Sequence, residues 1–302
     1  MKIVASYRCD ISPRGYGLRL VGVCRYDSQY LLKYLDGVRI MLFKAYAPTR
    51  RRLQFASLAL LAAAALGTPA FARDAKEAKV AVAANFTAPS KEIAAAFEKA
   101  KGHKIVLSFG ATGQFYAQIK QAAPFDVFLA ADQATPKKTV DEGLAVPDSR
   151  FTYAVGKLVL FSKTAGLVNG EATLKDASKF QKIAIANPAT APYGAAGVAT
   201  MKALGVYDAL AGKIVQGNNI AQTFQFVDTG NAELGFVALS QVIKVEGGSR
   251  WIVPGKYHDV IAQDAVLLKT GAENDAAREF LAFLKGPEAR AVIERYGYGI
   301  AE

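Results

Sequence analysis

The 302 residues include two cysteines, two histidines, three methionines and one tryptophan. Both cysteines, Cys9 and Cys24, precede Arg25, so the rest of the chain can form no disulfide, bind no metal through thiolate and offer no cysteine nucleophile. Only His103 and His258 could serve as a histidine base near neutral pH. His103 follows Gly102 in a helix-to-strand turn, and His258 lies in the polar stretch 255–258, so both read as solvated loop positions. The phosphate-cradling patterns GxGxxG and GxxxxGK[ST] are missing, as are HExxH, GxSxG and CxxC. No repeat, low-complexity tract or block of like charge occurs after residue 72. A hydrolase or transferase would need a nucleophile–base pair, and these absences make an enzyme the weaker reading.

Charge of one sign is plentiful at first sight: 37 Lys+Arg against 26 Asp+Glu, a balance of +11. That excess suggests a nucleic acid or an anionic membrane surface as partner. Its distribution argues otherwise. Residues 41–72 read as a secretory leader, with basic Lys44 and Arg50–Arg52, an apolar run from Leu53 to Leu66, and Ala70-Phe71-Ala72 as a small-x-small cleavage site. About 14 apolar residues are too few for a membrane span, which needs about 20. Cleavage is expected after Ala72, through either the general or the twin-arginine route. Leaders start near their initiator, so Met41 is expected as the true start and 1–40 as a spurious N-terminal extension. The first 72 residues carry 11 Lys+Arg and 3 Asp+Glu, and the other 230 hold 26 and 23. The expected mature chain is thus only +3, has no cysteine for a lipid tether, and gives no reason to expect nucleic acid or stable membrane insertion.

Beyond residue 72 the chain alternates short apolar runs with longer amphipathic ones, the pattern of an α/β protein. Strands are expected at Lys79–Ala84, Lys104–Phe109, Asp126–Ala130, Lys157–Ser162, Lys182–Ala186, Gly235–Ala238 and Ala265–Leu268. Helices are expected from Pro89 to Gly102, Gly113–Ala122, Pro136–Glu142, Gly194–Leu204, Ile220–Thr229 and Ala276–Tyr296. One doubly wound sheet and two lobes with a sheet each are both compatible with this alternation.

One event recurs: a strand ends, a small polar segment intervenes, and a helix begins. It occurs at 84–87 (Ala-Asn-Phe-Thr), 110–113 (Gly-Ala-Thr-Gly), 192–195 (Pro-Tyr-Gly-Ala) and 217–220 (Gly-Asn-Asn-Ile). Unpaired N–H groups and the positive end of the helix dipole meet at such a start, which favours an anion without any formal positive charge. Asn85, Thr112 and Tyr193 add neutral side-chain donors. None of the four segments contains Lys, Arg, Asp or Glu. A dry pocket of neutral donors suits a fully ionised dianion and lacks an acceptor for a protonated one such as hydrogen phosphate. Each segment alone is also ordinary capping chemistry, so spacing by itself does not choose.

The blocks VAVAANFTAPSKEIAAAFEK, SFGATGQFYAQIK with APFDVFLAADQ, NPATAPYGAAGVATMKALG and FLKGPEARAVIERYGY resemble the molybdate-binding periplasmic proteins of ABC importers, in family order from about Lys79 to Ile300. The resemblance implies a two-lobed periplasmic binding protein of type II, with a mixed sheet in each lobe, two crossing hinge strands and the oxyanion in the cleft between. Lobe 1 would be 73–154 plus 259–302, and lobe 2 would be 155–258. It implies capture of molybdate, and tungstate as well, in the periplasm, and delivery to the permease subunits of an ABC importer. It further implies a monomer with no catalytic residue, no cofactor and no metal cation, molybdenum being bound only as the oxyanion. Asn85 matches a position where many relatives have Ser, Thr112 matches a second Ser, and Tyr193 and Ile220 match main-chain donors at helix starts. Ala238 departs from the pattern, since many relatives carry a Tyr there whose hydroxyl reaches the ligand; the Tyr193 phenol is a candidate replacement. Sulfate, thiosulfate or ferric ion on the same fold is the alternative. A ferric site would want paired Tyr with His or carboxylate, and the four segments offer Tyr193 alone.

Overall fold

A computed structural model describes residues 76–300. The expected leader, its cleavage after Ala72, the 40 residues before Met41 and both cysteines lie outside the described residues.

Strand β1 (Glu77–Ala83) runs through a single 3-10 turn (Ala84–Phe86) into helix α1 (Thr87–Lys101). Ile93, Ala94 and Phe97 form the buried stripe of α1, and Lys99 and Lys101 sit where the helix dipole favours cations. Gly102 stops the helix in the left-handed region at φ 74°. Next come β2 (Lys104–Gly110), α2 (Thr112–Lys120), β3 (Val127–Leu129), α3 (Ala134–Asp141) and β4 (Phe151–Gly156). The chain continues through β5 (Leu158–Ser162), α4 (Ala172–Lys175), β6 (Ile183–Ala186), α5 (Pro192–Ala203), α6 (Tyr207–Leu210) and β7 (Ile214–Gly217). It ends with α7 (Ile220–Asp228), β8 (Leu234–Ala238), α8 (Leu239–Val242), β9 (Ser249–Ile252), β10 (Ile261–Leu267), α9 (Asp275–Leu284) and α10 (Pro287–Arg295).

The strands form two five-stranded sheets, ordered β2-β1-β3-β10-β4 and β7-β6-β8-β5-β9. In the first, β1 is parallel to β2 and β3, while β10 runs antiparallel to β3 and β4. In the second, β6 is parallel to β7 and β8, and β5 is antiparallel to β8 and β9. This is a two-lobed α/β fold with a mixed sheet in each lobe. The chain crosses to the second sheet at Lys157 and returns between Ile252 and Ile261. Phe86, Ile93, Phe97 and Phe280 anchor the core of the first lobe, and Leu158, Leu160, Phe180 and Phe236 that of the second. Each such side chain, fully buried, contributes about 1.5–3 kcal/mol of transfer free energy.

Three strands have no counterpart in the sequence reading: β4, β7 and β9. Their burial is partial (Ile214, Val215 and Gln216 of β7 are none of them fully buried), so neither alternation nor a continuous apolar run marks them. The single helix expected over 276–296 is two, α9 and α10, because Pro287 has no N–H to continue the ladder. His103 is not solvated. It is 2% exposed, and its Nδ1 accepts the Lys76 N–H at 3.2 Å.

Candidate anion site between the lobes

Four helix starts, two from each lobe, meet at one small pocket. Its lining comprises Asn85, Thr112, Tyr193 and Ile220 together with alanine, glycine and proline, and no lining residue is charged. From the first lobe come the 3-10 turn after β1 and the start of α2. From the second come α5, whose first residue Pro192 has no N–H to leave unpaired, and α7. Thr112 and Ile220 are the first residues of their helices and Tyr193 the second, so their N–H groups have no acceptor within the helix. The cap of α7 sharpens this. Asn219 Oδ1 accepts the N–H groups of Ala221 and Gln222, both at 3.0 Å, and does not cap that of Ile220, a lining residue of the pocket.

Thr112 is arranged to donate. Its Oγ1 accepts the Ala131 N–H at 2.9 Å, which occupies an acceptor lone pair and leaves the hydroxyl proton for a ligand. Asn85 is arranged differently, because its Nδ2 is already engaged, donating to Gln263 Oε1 at 2.8 Å and to Tyr298 Oη at 3.0 Å. The Tyr193 hydroxyl accepts from Gln263 Nε2 at 3.1 Å and meets the Tyr298 hydroxyl. It lies against Gly156 at the crossing between the sheets, where a Cβ would collide with both it and Gln263 Nε2. Burial pushes the Tyr153, Tyr193 and Tyr298 phenols above their ordinary range, so all three stay protonated and neutral. The Tyr193 phenol is thus committed to this buried network rather than to the place left by Ala238. Ala238 is itself fully buried, its N–H donating to Gln241 Oε1 at 2.9 Å.

The lobes are drawn together at the pocket rim. The Gly113 N–H donates to Thr190 O at 2.9 Å across the cleft, and a Cβ on Gly113 would stand 3.0 Å from Thr190 Cα. On the inner side Ser240 Oγ, from the second lobe, donates to the Asn85 carbonyl at 2.8 Å. A groove of about 500 Å³ shares Ala131, Ala191 and Pro192 with the pocket and carries Asp132 and Asp259 on its walls. Burial raises the Asp132 carboxyl above its ordinary range, the Asp264 charge adds to the rise, and hydrogen bonds from Thr135 oppose it.

This two-lobed fold has counterparts. A profile of the bacterial extracellular solute-binding proteins matches residues 78–299. The chain belongs to that family. Among relatives of this solute-binding protein, the molybdate-binding protein ModA of Azotobacter vinelandii is 53% identical over 251 residues, covering 82% of this chain and 100% of that protein. The molybdate-binding protein ModA of Rhodobacter capsulatus is 56% identical over 225 residues, covering 74% of this chain and 88% of its own. The solved structure of the Azotobacter vinelandii periplasmic molybdate-binding protein superposes with a TM-score of 0.72 at 42% identity, covering 74% of this chain and all of that one.

All four residues singled out from sequence, Asn85, Thr112, Tyr193 and Ile220, line the same pocket. Gln263, Tyr298 and Ser240 were not anticipated. The only trace of Gln263 in the sequence is a polar pair, Gln263-Asp264, inside the apolar strand Ile261–Leu267.

Proposed function

We propose that this solute-binding protein captures molybdate, and tungstate as its near-isostere, in the cleft between its lobes and hands it to the membrane subunits of an ABC importer. It acts as a carrier and not as an enzyme, working as a monomer in the periplasm after its leader is removed following Ala72. Lobe 1 comprises 73–154 plus 259–302 and lobe 2 comprises 155–258. The observation that carries the reading is the convergence of helix starts from both lobes on a pocket without a charged lining residue; identities of 53% and 56% to molybdate-binding relatives support the choice of anion. Within the site, Thr112 donates through its hydroxyl and its N–H, while Asn85, Tyr193 and Ile220 donate through main-chain N–H groups. Hydrogen bonds to a charged acceptor contribute about 1.5–3 kcal/mol each, so a handful suffices for tight binding of a desolvated dianion. Closure brings donors of the two lobes together and thereby couples capture to a shape that the importer can recognise.

A thermal-shift panel with molybdate, tungstate, sulfate and phosphate tests the reading on the chain from Arg73 onward. Molybdate and tungstate are expected to raise the midpoint and phosphate to leave it unmoved, because a ligand stabilises only the state that binds it. Stabilisation by sulfate or phosphate alone would overturn it.

A further inference from the structure

Behind the pocket, Gln263 bonds to side chains of both lobes. Gln263, on β10 of the first lobe, is fully buried. Its Oε1 accepts from Asn85 Nδ2 at 2.8 Å, and its Nε2 donates to Tyr193 Oη at 3.1 Å. The orientation of this carboxamide is set from a third side: Tyr153 Oη lies 3.1 Å from Gln263 Oε1 and 2.9 Å from the Ala130 carbonyl. Asn85 and Tyr193 come from opposite lobes, and each lines the pocket. If Tyr193 swings toward the cleft, Gln263 Nε2 loses its acceptor, and if Asn85 does, Oε1 keeps only Tyr153; a buried donor left without a partner costs more than the bond itself contributes. Gly156, at the crossing, is without a side chain where these groups pass.

We propose that Gln263 is a positioning residue for anion capture: its carboxamide ties Asn85 of one lobe to Tyr193 of the other and so holds their peptide groups at the spacing the closed site requires. The inference rests on the anion-binding function proposed for the cleft and deepens it. The Gln263–Tyr193 bond joins the two lobes beside Gly156, where the chain crosses between the sheets, so the carboxamide fixes the two peptide groups from the crossing side of the site.

Isothermal titration of molybdate into the wild-type chain, Gln263→Leu and Gln263→Glu provides the test. Gln263→Leu, which removes donor and acceptor together, is expected to weaken binding by about tenfold or more. Gln263→Glu varies hydrogen bonding and charge at nearly constant shape. As a carboxylate it keeps the acceptor, loses the donor and adds negative charge behind an anion site; as a neutral acid it regains one donor and one acceptor in nearly the same shape. Burial raises a carboxyl pKa, so its affinity relative to wild type at the same pH should recover several-fold between about pH 8 and about pH 6. Taking the ratio to wild type cancels protonation of the ligand. Because loss of that added charge would by itself restore affinity on protonation, Gln263→Met is the packing control: it keeps the volume without donor or acceptor, and molybdate binding by it that matches wild type overturns the inference even if Gln263→Leu does not fold. Lack of molybdate binding by the wild-type chain takes down the functional reading together with this one. Wild-type binding matched by Gln263→Leu takes down this inference alone.

Discussion

At the scale of single residues, the site works through what each group has already committed. Thr112 Oγ1 has spent an acceptor lone pair on the Ala131 N–H and keeps its proton. Thr112→Val is nearly isosteric and deletes that proton, so molybdate affinity should fall about tenfold to a hundredfold by calorimetry, with Thr112→Ser close to wild type. Gly156→Ala probes the opposite kind of requirement. The glycine is needed there for space and not for a left-handed backbone, since an added methyl would press on the Tyr193 hydroxyl and Gln263 Nε2. The substitution should lower both the thermal midpoint and molybdate affinity, and normal affinity would show that the buried network can shift without disturbing the pocket. Asn85, Thr112, Tyr193 and Ile220 were legible because each belongs to a local strand-to-helix signal. Gln263 and Tyr298 were not, because they lie 178 and 213 residues from Asn85 and no local pattern marks such a pairing.

At the scale of elements, caps and breaks decide. Residue Asp132 sits just before α3 and holds its first turn, accepting from Thr135 N at 2.7 Å and from Thr135 Oγ1 at 3.1 Å. Burial nonetheless raises its carboxyl. A raised acid binds its proton more tightly in the folded state, so stability falls as pH climbs from the ordinary carboxyl range through the folded value. Asp132→Asn removes this titration while keeping an acceptor for the cap. The wild type should therefore lose stability relative to Asp132→Asn as pH rises above about 4, measured as the difference in urea midpoint across pH. The nearby Asp264 carboxylate, buried and in contact with Arg150 and with Thr152 Oγ1 at 2.7 Å, adds to the rise as a like charge. Helices with clear stripes and stops, such as α1 ending at Gly102, were readable to within two residues. The half-buried strands β4, β7 and β9 were not, since a strand that is neither alternating nor wholly apolar has no sequence signature.

At the scale of the whole molecule, binding and folding are one equilibrium. Ligand present at a hundred times its dissociation constant adds about 2.7 kcal/mol of stability. For a chain of this size that corresponds to a rise in thermal midpoint of about 5–10 °C, which differential scanning calorimetry would register as a dependence on the logarithm of molybdate concentration. The sequence by itself determined the alternating α/β plan, the distribution of charge that leaves +3 after residue 72, and the four uncharged strand-to-helix junctions. Those are local properties, written in residue period, caps and composition. Only the tertiary structure decided that the four junctions share one pocket, that the Tyr193 hydroxyl turns into a buried network instead of standing in for the tyrosine expected at Ala238, and that Gln263 joins the two lobes. Sheet order and the two crossings at Lys157 and between Ile252 and Ile261 bring together segments far apart along the chain. The physical reason is that hydrogen bonds are directional and short-ranged: a helix start announces free N–H groups, but where they point depends on the packing of every element beneath them.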